Sequence, residues 1–370
     1  MNVVTFICNH GRLGGDNLSM LGAIDGLFRR GVKSTVILPE YGPIVDELRN
    51  RGIKLLIIDF SIKGKTSKVS MFLILLRFFL FILVSKSDVL HSNDVLCNKY
   101  ASICGKILKI PVVCHVRYHV SESQLAYHLS PSPNALIFNS KFMEKEFSIS
   151  STKLEFNGIK KVIYNPINEK NYYKPEYRKN VREEWKSSSK YIVAIIGNIC
   201  KNKGHFDFIE IAKKLIHIKD DFIFIVIGKD ITREQYNYKQ IIENINNYNI
   251  KDHFIFHGVE GDIGKVLSGI DLVVFPSHFE SFGRVAIESL LAEVPIVASN
   301  IGGLVEILEG NPAARLNNVG DIDGFVKSVM DIRDSVSLDN SLILDGKNYV
   351  RDKFSFDKSV DDLLNLYESL

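Results

Sequence analysis

Apolar strand-like runs alternate with helical stretches along this chain, twice over, and that alternation restricts the fold more than any other feature. The first series runs through Val3–Cys8, a helix from about Asn17 to Arg30, Ser34–Leu38, a helix near Ile44–Arg51 and Leu55–Asp59. It continues with Val89–His91, a helix over about Val95–Leu108, Val112–Val116, Ala135–Asn139 and Lys161–Tyr164. Strands joined through helices imply a parallel α/β sheet, because parallel neighbours need a crossover and the crossing helices cover both faces. A second series then repeats the pattern from Tyr191–Gly197 to Ile296–Ala298, with helices over Phe206–Ile216, Tyr236–Asn247, Ile263–Ser268 and Arg284–Leu291, and closes on a helix over Gly320–Arg333.

Between the two series the text changes to Asn-Pro-Ile-Asn, Tyr-Lys-Pro-Glu-Tyr and Ser-Ser-Ser, polar and broken by proline. We therefore expect one Rossmann-like domain over 1–168, a linker over 169–190 and a second such domain over 191–350. A terminal helix, about 354–370, is expected to pack back on the first domain. Two domains also suit a chain of 370 residues.

Composition removes several classes of function. With 46% hydrophobic and 24% charged residues the chain is not intrinsically disordered. Its five cysteines include no Cys-x-x-Cys pair, so neither a disulfide framework nor a zinc knuckle is expected, and a reducing, cytoplasmic setting fits best. The opening Met-Asn-Val-Val-Thr-Phe-Ile-Cys reads as a core strand rather than as an export signal. A net charge of +3 is too small for a nucleic-acid binder. The charge is uneven, however: residues 1–170 carry +9 and the remainder −6. A basic first half favours an anionic surface or substrate there, phospholipid or phosphorylated glycan.

Val69–Val84, VSMFLILLRFFLFILV, is apolar except for Arg77 and is shorter than the roughly 20 residues of a membrane span. A helix buried under the sheet is the leading expectation. Lys63, Lys65 and Lys68 just upstream raise a helix at a membrane interface as the alternative, and a span is the third reading.

Four stretches carry chemistry. Asn9–Asp16, NHGRLGGD, lies between the first strand and first helix, where Gly14 and Gly15 either bring backbone N–H groups to an anion or make a tight turn. It matches neither the dinucleotide fingerprint nor a Walker loop. Gly197–Gly204, GNICKNKG, brings Lys203 to the strand end where α/β sheets bind ligands, as a diphosphate partner or as a solvated turn lysine. In Phe275–Glu288, FPSHFESFGRVAIE, Glu280 precedes a helix and Glu288 lies inside it. Carboxylates there suit vicinal sugar hydroxyls, with Ser281, Phe282 and Gly283 offering backbone donors, although two glutamates near a helix start are also common without function. The pair Gly302–Gly303 opens a further short helix, another candidate anion site. His115 ends a strand, as a ligand contact or as a satisfied core histidine. Asp321 and Asp323 resemble a metal-binding Asp-x-Asp, but their place at a helix start favours capping.

Taken in order, GRLGGD, VVCHVR, ALIFNS, VIYNPIN, GNICKNKG, PSHFESFGRVAIE with its Glu280-x7-Glu288 signature, EVPIVASNIGG and FSFDKSVDDLLNLYESL resemble the retaining nucleotide-sugar glycosyltransferases of family 4 over nearly the whole chain. The resemblance implies an α/β chain of GT-B architecture, two facing Rossmann-like domains with a cleft between them. It implies a hexosyltransferase taking a UDP- or GDP-linked sugar to a glycan acceptor, without a metal or other cofactor. By match, Glu280 contacts the donor sugar, Glu288 the ribose and Lys203 the diphosphate. Gly14 and Gly15 match the loop that closes on the donor, and His115 the histidine beside the sugar, with His119 nearby as an alternative. Asn198 stands where an arginine usually joins the lysine, and Glu293 replaces a frequent glycine. Such enzymes are common in bacterial surface-polysaccharide assembly, which brings in a lipid-linked acceptor and peripheral contact with the inner face of the cytoplasmic membrane. A non-catalytic interaction protein and a nucleotide-sugar epimerase of the same fold are the rival readings.

Overall fold

β1 (Val3–Ile7), α1 (Gly15–Arg29), β2 (Lys33–Leu38), α2 (Pro43–Asn50), β3 (Lys54–Ile57), α3 (Lys68–Ser85) and β4 (Val89–Ser92) open the chain. They are followed by α4 (Asn98–Leu108), β5 (Val112–Val116), α5 (Glu122–His128), β6 (Ala135–Phe138), α6 (Lys141–Ser150) and β7 (Ile159–Val162). This computed structural model describes residues 1–60, 68–151, 155–230, 232–258 and 261–370. The seven strands form one parallel sheet in the order β3-β2-β1-β4-β5-β6-β7. Alternate residues feed opposite layers: Val4 and Phe6 of β1 pack under α1, while Ile7 packs with α3 and α4. Burial on both faces is why these strands read as continuous apolar runs.

The second sheet is built from β8 (Tyr191–Ile196), β9 (Phe222–Ile227), β10 (Phe254–Gly258), β11 (Leu272–Phe275), β12 (Ile296–Ser299) and β13 (Ala314–Asn317), in the order β10-β9-β8-β11-β12-β13 and again parallel. Its helices are α7 (Arg178–Glu184), α8 (His205–Ile218), α9 (Tyr236–Asn247), α10 (Ile263–Ser268), α11 (Arg284–Leu291), α12 (Gly302–Leu308), α13 (Ile322–Leu338) and α14 (Ser341–Lys353). The short, half-polar β13 and the helix α14 lack a strong apolar period and are absent from the sequence expectation.

The chain divides into two units, Met1–Ile167 with Phe354–Leu370, and Asn168–Lys353. The last helix, α15 (Phe356–Glu368), lies on α1 in the first unit, where Val360, Leu363 and Leu366 join the core. A Cβ at Gly26 would sit 2.3 Å from Val360, so a glycine inside α1 permits this close approach. Residues 169–190, expected as a linker, are instead part of the second unit. Arg178 and Arg182 both pair with Asp271 at the head of β11, and Trp185 is buried. Apolar and cationic anchors scattered at helical spacing outweigh the prolines that mark the stretch as irregular.

α3 corrects the expectation of a buried helix. One face is buried through Ile74, Phe78 and Ile82, whereas Phe72, Leu76, Leu80 and Leu83 are exposed. No described helix is long and apolar enough to cross a membrane. Lys63 and Lys65 lie outside the described residues, and Lys68 is the first residue of α3.

Candidate active site

In the second unit the chain after β8 turns at Gly197 and reaches α8 through a short turn over Lys201–Lys203. Gly204 caps α8 with φ of +73°, and a Cβ there would lie 1.8 Å from the Pro276 carbonyl oxygen. Only glycine satisfies both demands. That contact draws the turn against the loop after β11, where the His278 N–H donates to the Asn202 carbonyl at 2.8 Å. Lys203 Nζ consequently meets Glu280 Oε2 in an ion pair, with 32% of the lysine side chain and 13% of the glutamate side chain exposed. The sequence motifs around these two residues are thus brought together. Asn198, three residues before the turn, is exposed.

The backbone after Glu280 is tightly held. Gly303 N–H donates to the Glu280 carbonyl at 2.9 Å, and a Cβ at Gly303 would lie 2.4 Å from Phe282 Cα. Of the Gly302–Gly303 pair, expected to offer N–H groups to an anion, Gly303 is thus engaged in packing α12 against Ser281 and Phe282. Gly283, at φ of +97°, caps α11. Phe282 is buried beneath.

Glu288 lies one turn into α11 and is buried. Its Oε1 accepts from Arg284 Nε at 2.5 Å and from the Tyr172 hydroxyl at 3.2 Å, while Arg284 Nη2 donates to that hydroxyl oxygen at 2.9 Å. Burial works against the Arg284 charge, but Glu288 and Tyr172 outweigh it and raise its pKa. Burial first, and then the Glu288 charge, push the Tyr172 phenol up. Each signature glutamate thus has its own cation, Lys203 for Glu280 and Arg284 for Glu288. Tyr172 was missed because it lies in the stretch read as a linker. Asp321 caps α13 by accepting from Gly324 N–H at 3.0 Å, and Asp323 pairs with Lys214 at 2.5 Å, so this Asp-x-Asp is structural.

In the first unit the loop Asn9–Asp16 is fixed by Asn17, whose Nδ2 donates to the carbonyls of His10 at 3.1 Å and Arg12 at 2.8 Å. Gly14 is the N-cap of α1 and Gly15 its first residue. His10 Nε2 stands 2.9 Å from Asp16 Oδ2; burial would raise the Asp16 pKa, but His10, Arg117 and the Asn17 N–H together outweigh it and the carboxyl is lowered. Arg117, just past β5 and buried, donates to Asn93 O at 2.8 Å, Asn93 Oδ1 at 2.7 Å and Asn165 Oδ1 at 2.8 Å. Asn93 in turn donates to Asn17 Oδ1 at 3.1 Å, and Asn139 to the Arg117 carbonyl at 3.2 Å.

His115 lies under this network, 6% exposed, with its ring centroid 5.6 Å from that of His91. Neither of its ring nitrogens has a hydrogen-bond partner among the described residues. Burial, then the Arg117 charge and His91, push its pKa well below the usual histidine range, and His91 falls to about 3 for the first two reasons. Both rings are neutral near pH 7. His91 Nδ1 lies 2.5 Å from the Tyr367 hydroxyl of α15. His119 is exposed and 4.0 Å from Glu146. Arg117, Asn93 and Asn165 were not singled out from sequence, yet a signal exists: Asn93, Arg117, Asn139 and Asn165 each follow a strand closely, where polar side chains reach the ligand-binding edge of a parallel sheet.

Two parallel, helix-flanked sheets in separate Rossmann-like units define a protein of GT-B fold, with polar chemistry at the carboxyl ends of both sheets. Anabaena HepE, solved with UDP-glucose, superposes with a TM-score of 0.87 at 19% identity over the full length of both chains. Residues 177–348 match the family model of glycosyl transferases group 1. A 2-deoxystreptamine N-acetyl-D-glucosaminyltransferase of Niallia circulans is 32% identical over 49% of this chain and 46% of its own. The chain spans about half the length of that relative and of others similar to it. An N,N'-diacetylbacillosaminyl-diphospho-undecaprenol alpha-1,3-N-acetylgalactosaminyltransferase of Campylobacter jejuni is 25% identical over 90% of each chain.

Proposed function

We propose that this protein is a glycosyltransferase that moves a sugar from a UDP- or GDP-linked donor to a glycan acceptor with retained configuration and without a metal. The observation that carries the reading is the Lys203–Glu280 pair, held at the carboxyl end of the second sheet by backbone contacts that only glycines permit. In the reaction the bond from the anomeric carbon to the diphosphate oxygen breaks, and the leaving nucleoside diphosphate takes the electron pair. The acceptor hydroxyl oxygen forms the new bond on the same face, and its proton passes to a leaving phosphate oxygen. Lys203 opposes the charge that grows on the diphosphate, as a preorganised electrostatic partner does. Glu280 accepts hydrogen bonds from sugar hydroxyls and Glu288 from the ribose, with Ser281, Phe282 and Gly283 lending backbone and Asn198 lining the loop. Neutral His115 and the Gly14–Gly15 loop are candidates for contact with the sugar, on the family resemblance.

The acceptor in this reading is a lipid-linked, diphosphate-bearing glycan of bacterial surface-polysaccharide assembly, met at the inner face of the cytoplasmic membrane. The diphospho-undecaprenol substrate in the name of the Campylobacter relative supports that choice, as does the basic first half of the chain. A panel of nucleotide sugars tests the reading by thermal stabilisation, since a ligand at 100 times its Kd raises stability by about 2.7 kcal/mol. One UDP- or GDP-sugar is expected to stabilise the protein and to be consumed, in EDTA, only when an acceptor is present. No stabilisation by any member of the panel, or consumption that depends on a divalent ion, would count against it.

A further inference from the structure

Helix α3 has two apolar faces, and one is uncovered among the described residues. Ile74, Phe78 and Ile82 enter the core layer that Tyr100, Ala101 and Cys104 of α4 share. On the opposite side Phe72, Leu73, Leu76, Leu80, Leu83 and Val84 are exposed, from 43% at Leu76 to 76% at Val84. At the helical repeat these six fall in a stripe about 120° wide along a helix about 27 Å long. A helix apolar all round is ordinarily buried all round, and a contiguous exposed stripe of large side chains marks an interaction surface.

The chain segments that carry the stripe and the neighbouring helix are basic, with Asp59 and Asp88 flanking the first of them. No Asp or Glu occurs from Phe60 to Ser87 or from Val95 to Ser121, stretches that include Arg77, Lys86, Lys106 and Lys109. Arg77 and Lys86 are exposed on α3 and just past its end, and Lys106, Ile107 and Lys109 are exposed at the end of the neighbouring α4.

We propose that this face of α3 docks on a bilayer containing anionic phospholipid, with the helix lying in the plane of the interface. A bilayer surface supplies hydrocarbon for the stripe and negative headgroups for the cations at once. A second copy of this chain would set the same cations against one another. The buried face of α3 remains in the core of the first unit, which keeps the helix at the surface. The inference deepens the reading above by naming where a lipid-linked acceptor is met; it rests on that reading only for its purpose.

Cosedimentation of the full chain with phosphatidylglycerol vesicles and with phosphatidylcholine vesicles tests it without any transfer reaction. Binding to the anionic vesicles is expected, weakening as salt rises. Leu76→Glu with Leu80→Glu is expected to reduce that binding more than tenfold with an unchanged melting temperature, since both side chains are exposed. Lys86→Ala and Lys106→Ala should each weaken it about fivefold, the equivalent of about 1 kcal/mol per cation. Wild-type protein that ignores anionic vesicles at low salt overturns the proposal, as does a double variant that binds like wild type. A wild-type dimer that the double variant dissociates, with no vesicle binding, assigns the face to a second copy and also overturns it. Titration of UDP and GDP on the same samples keeps the two readings separate: vesicle binding without nucleotide binding leaves this proposal standing and removes the donor assignment.

Discussion

The carboxyl ends of the two sheets carry opposite kinds of polar chemistry. In the second unit, Lys203 and Glu280 form a charged pair with part of each side chain in solvent. In the first unit, Arg117 is enclosed by the amides of Asn93 and Asn165 above two neutral imidazoles, His91 and His115. A part-exposed ion pair contributes little to stability, so a charged ligand can replace one partner at small cost. A buried hydrogen-bonded network is costly to disturb, because each removal leaves donors or acceptors stranded away from water. The second unit's arrangement suits exchange with a ligand and the first unit's suits holding a shape.

The sharpest way to break this contrast is Lys203→Ala. Turnover is expected to fall on the order of 10²–10³-fold, while the melting temperature stays near that of wild type. A large loss of stability with modest loss of turnover would reverse the assignment. Arg117→Met should do the opposite, costing about 2–3 kcal/mol of unfolding free energy through stranded amides, as measured by urea denaturation. If Arg117→Met is as stable as wild type, the network is not what holds the strand ends.

A smaller effect concerns pH. His91 and His115 have folded pKa values below the ordinary value of about 6.5. The unfolded chain therefore binds more protons below that pH, and stability falls as pH drops. For His91 the contribution is complete above pH ~6.5 and is lost toward about 3, with a limiting slope of about 1.4 kcal/mol per pH unit. His91→Gln should flatten the acid limb of the stability profile, read by denaturant midpoints between pH 7 and 5. An unchanged slope in the variant would show that His91 titrates as freely in the fold as in the unfolded chain.

Much of the second unit was legible because its site is local in sequence. Lys203 sits in a glycine-bounded turn, and Glu280 and Glu288 share one loop and helix. Tyr172 was not legible, since it reaches Glu288 across 116 positions from a proline-broken stretch. The first-unit network is dispersed in the same way: Asn17, Asn93, Arg117 and Asn165 come together only when the sheet order is known. The length of its apolar run identified α3 as a helix, but an all-apolar sequence carries no sign of which face the sheet covers. Gly303 shows the converse, half of a motif that reads as an anion site and a residue whose own N–H and Cα are used for close backbone packing.

Titration of UDP and GDP into wild type, Lys203→Ala and Glu280→Gln tests most directly whether the second unit's charged pair is the donor's diphosphate site. In the resting protein Glu280 is paired with Lys203, the residue proposed to meet the diphosphate. Glu280→Gln is therefore expected to bind the nucleoside diphosphate several-fold more tightly than wild type while transferring sugar more slowly, and Lys203→Ala to bind it at least tenfold more weakly. Equal affinities in all three proteins, for both nucleotides, would contradict the account.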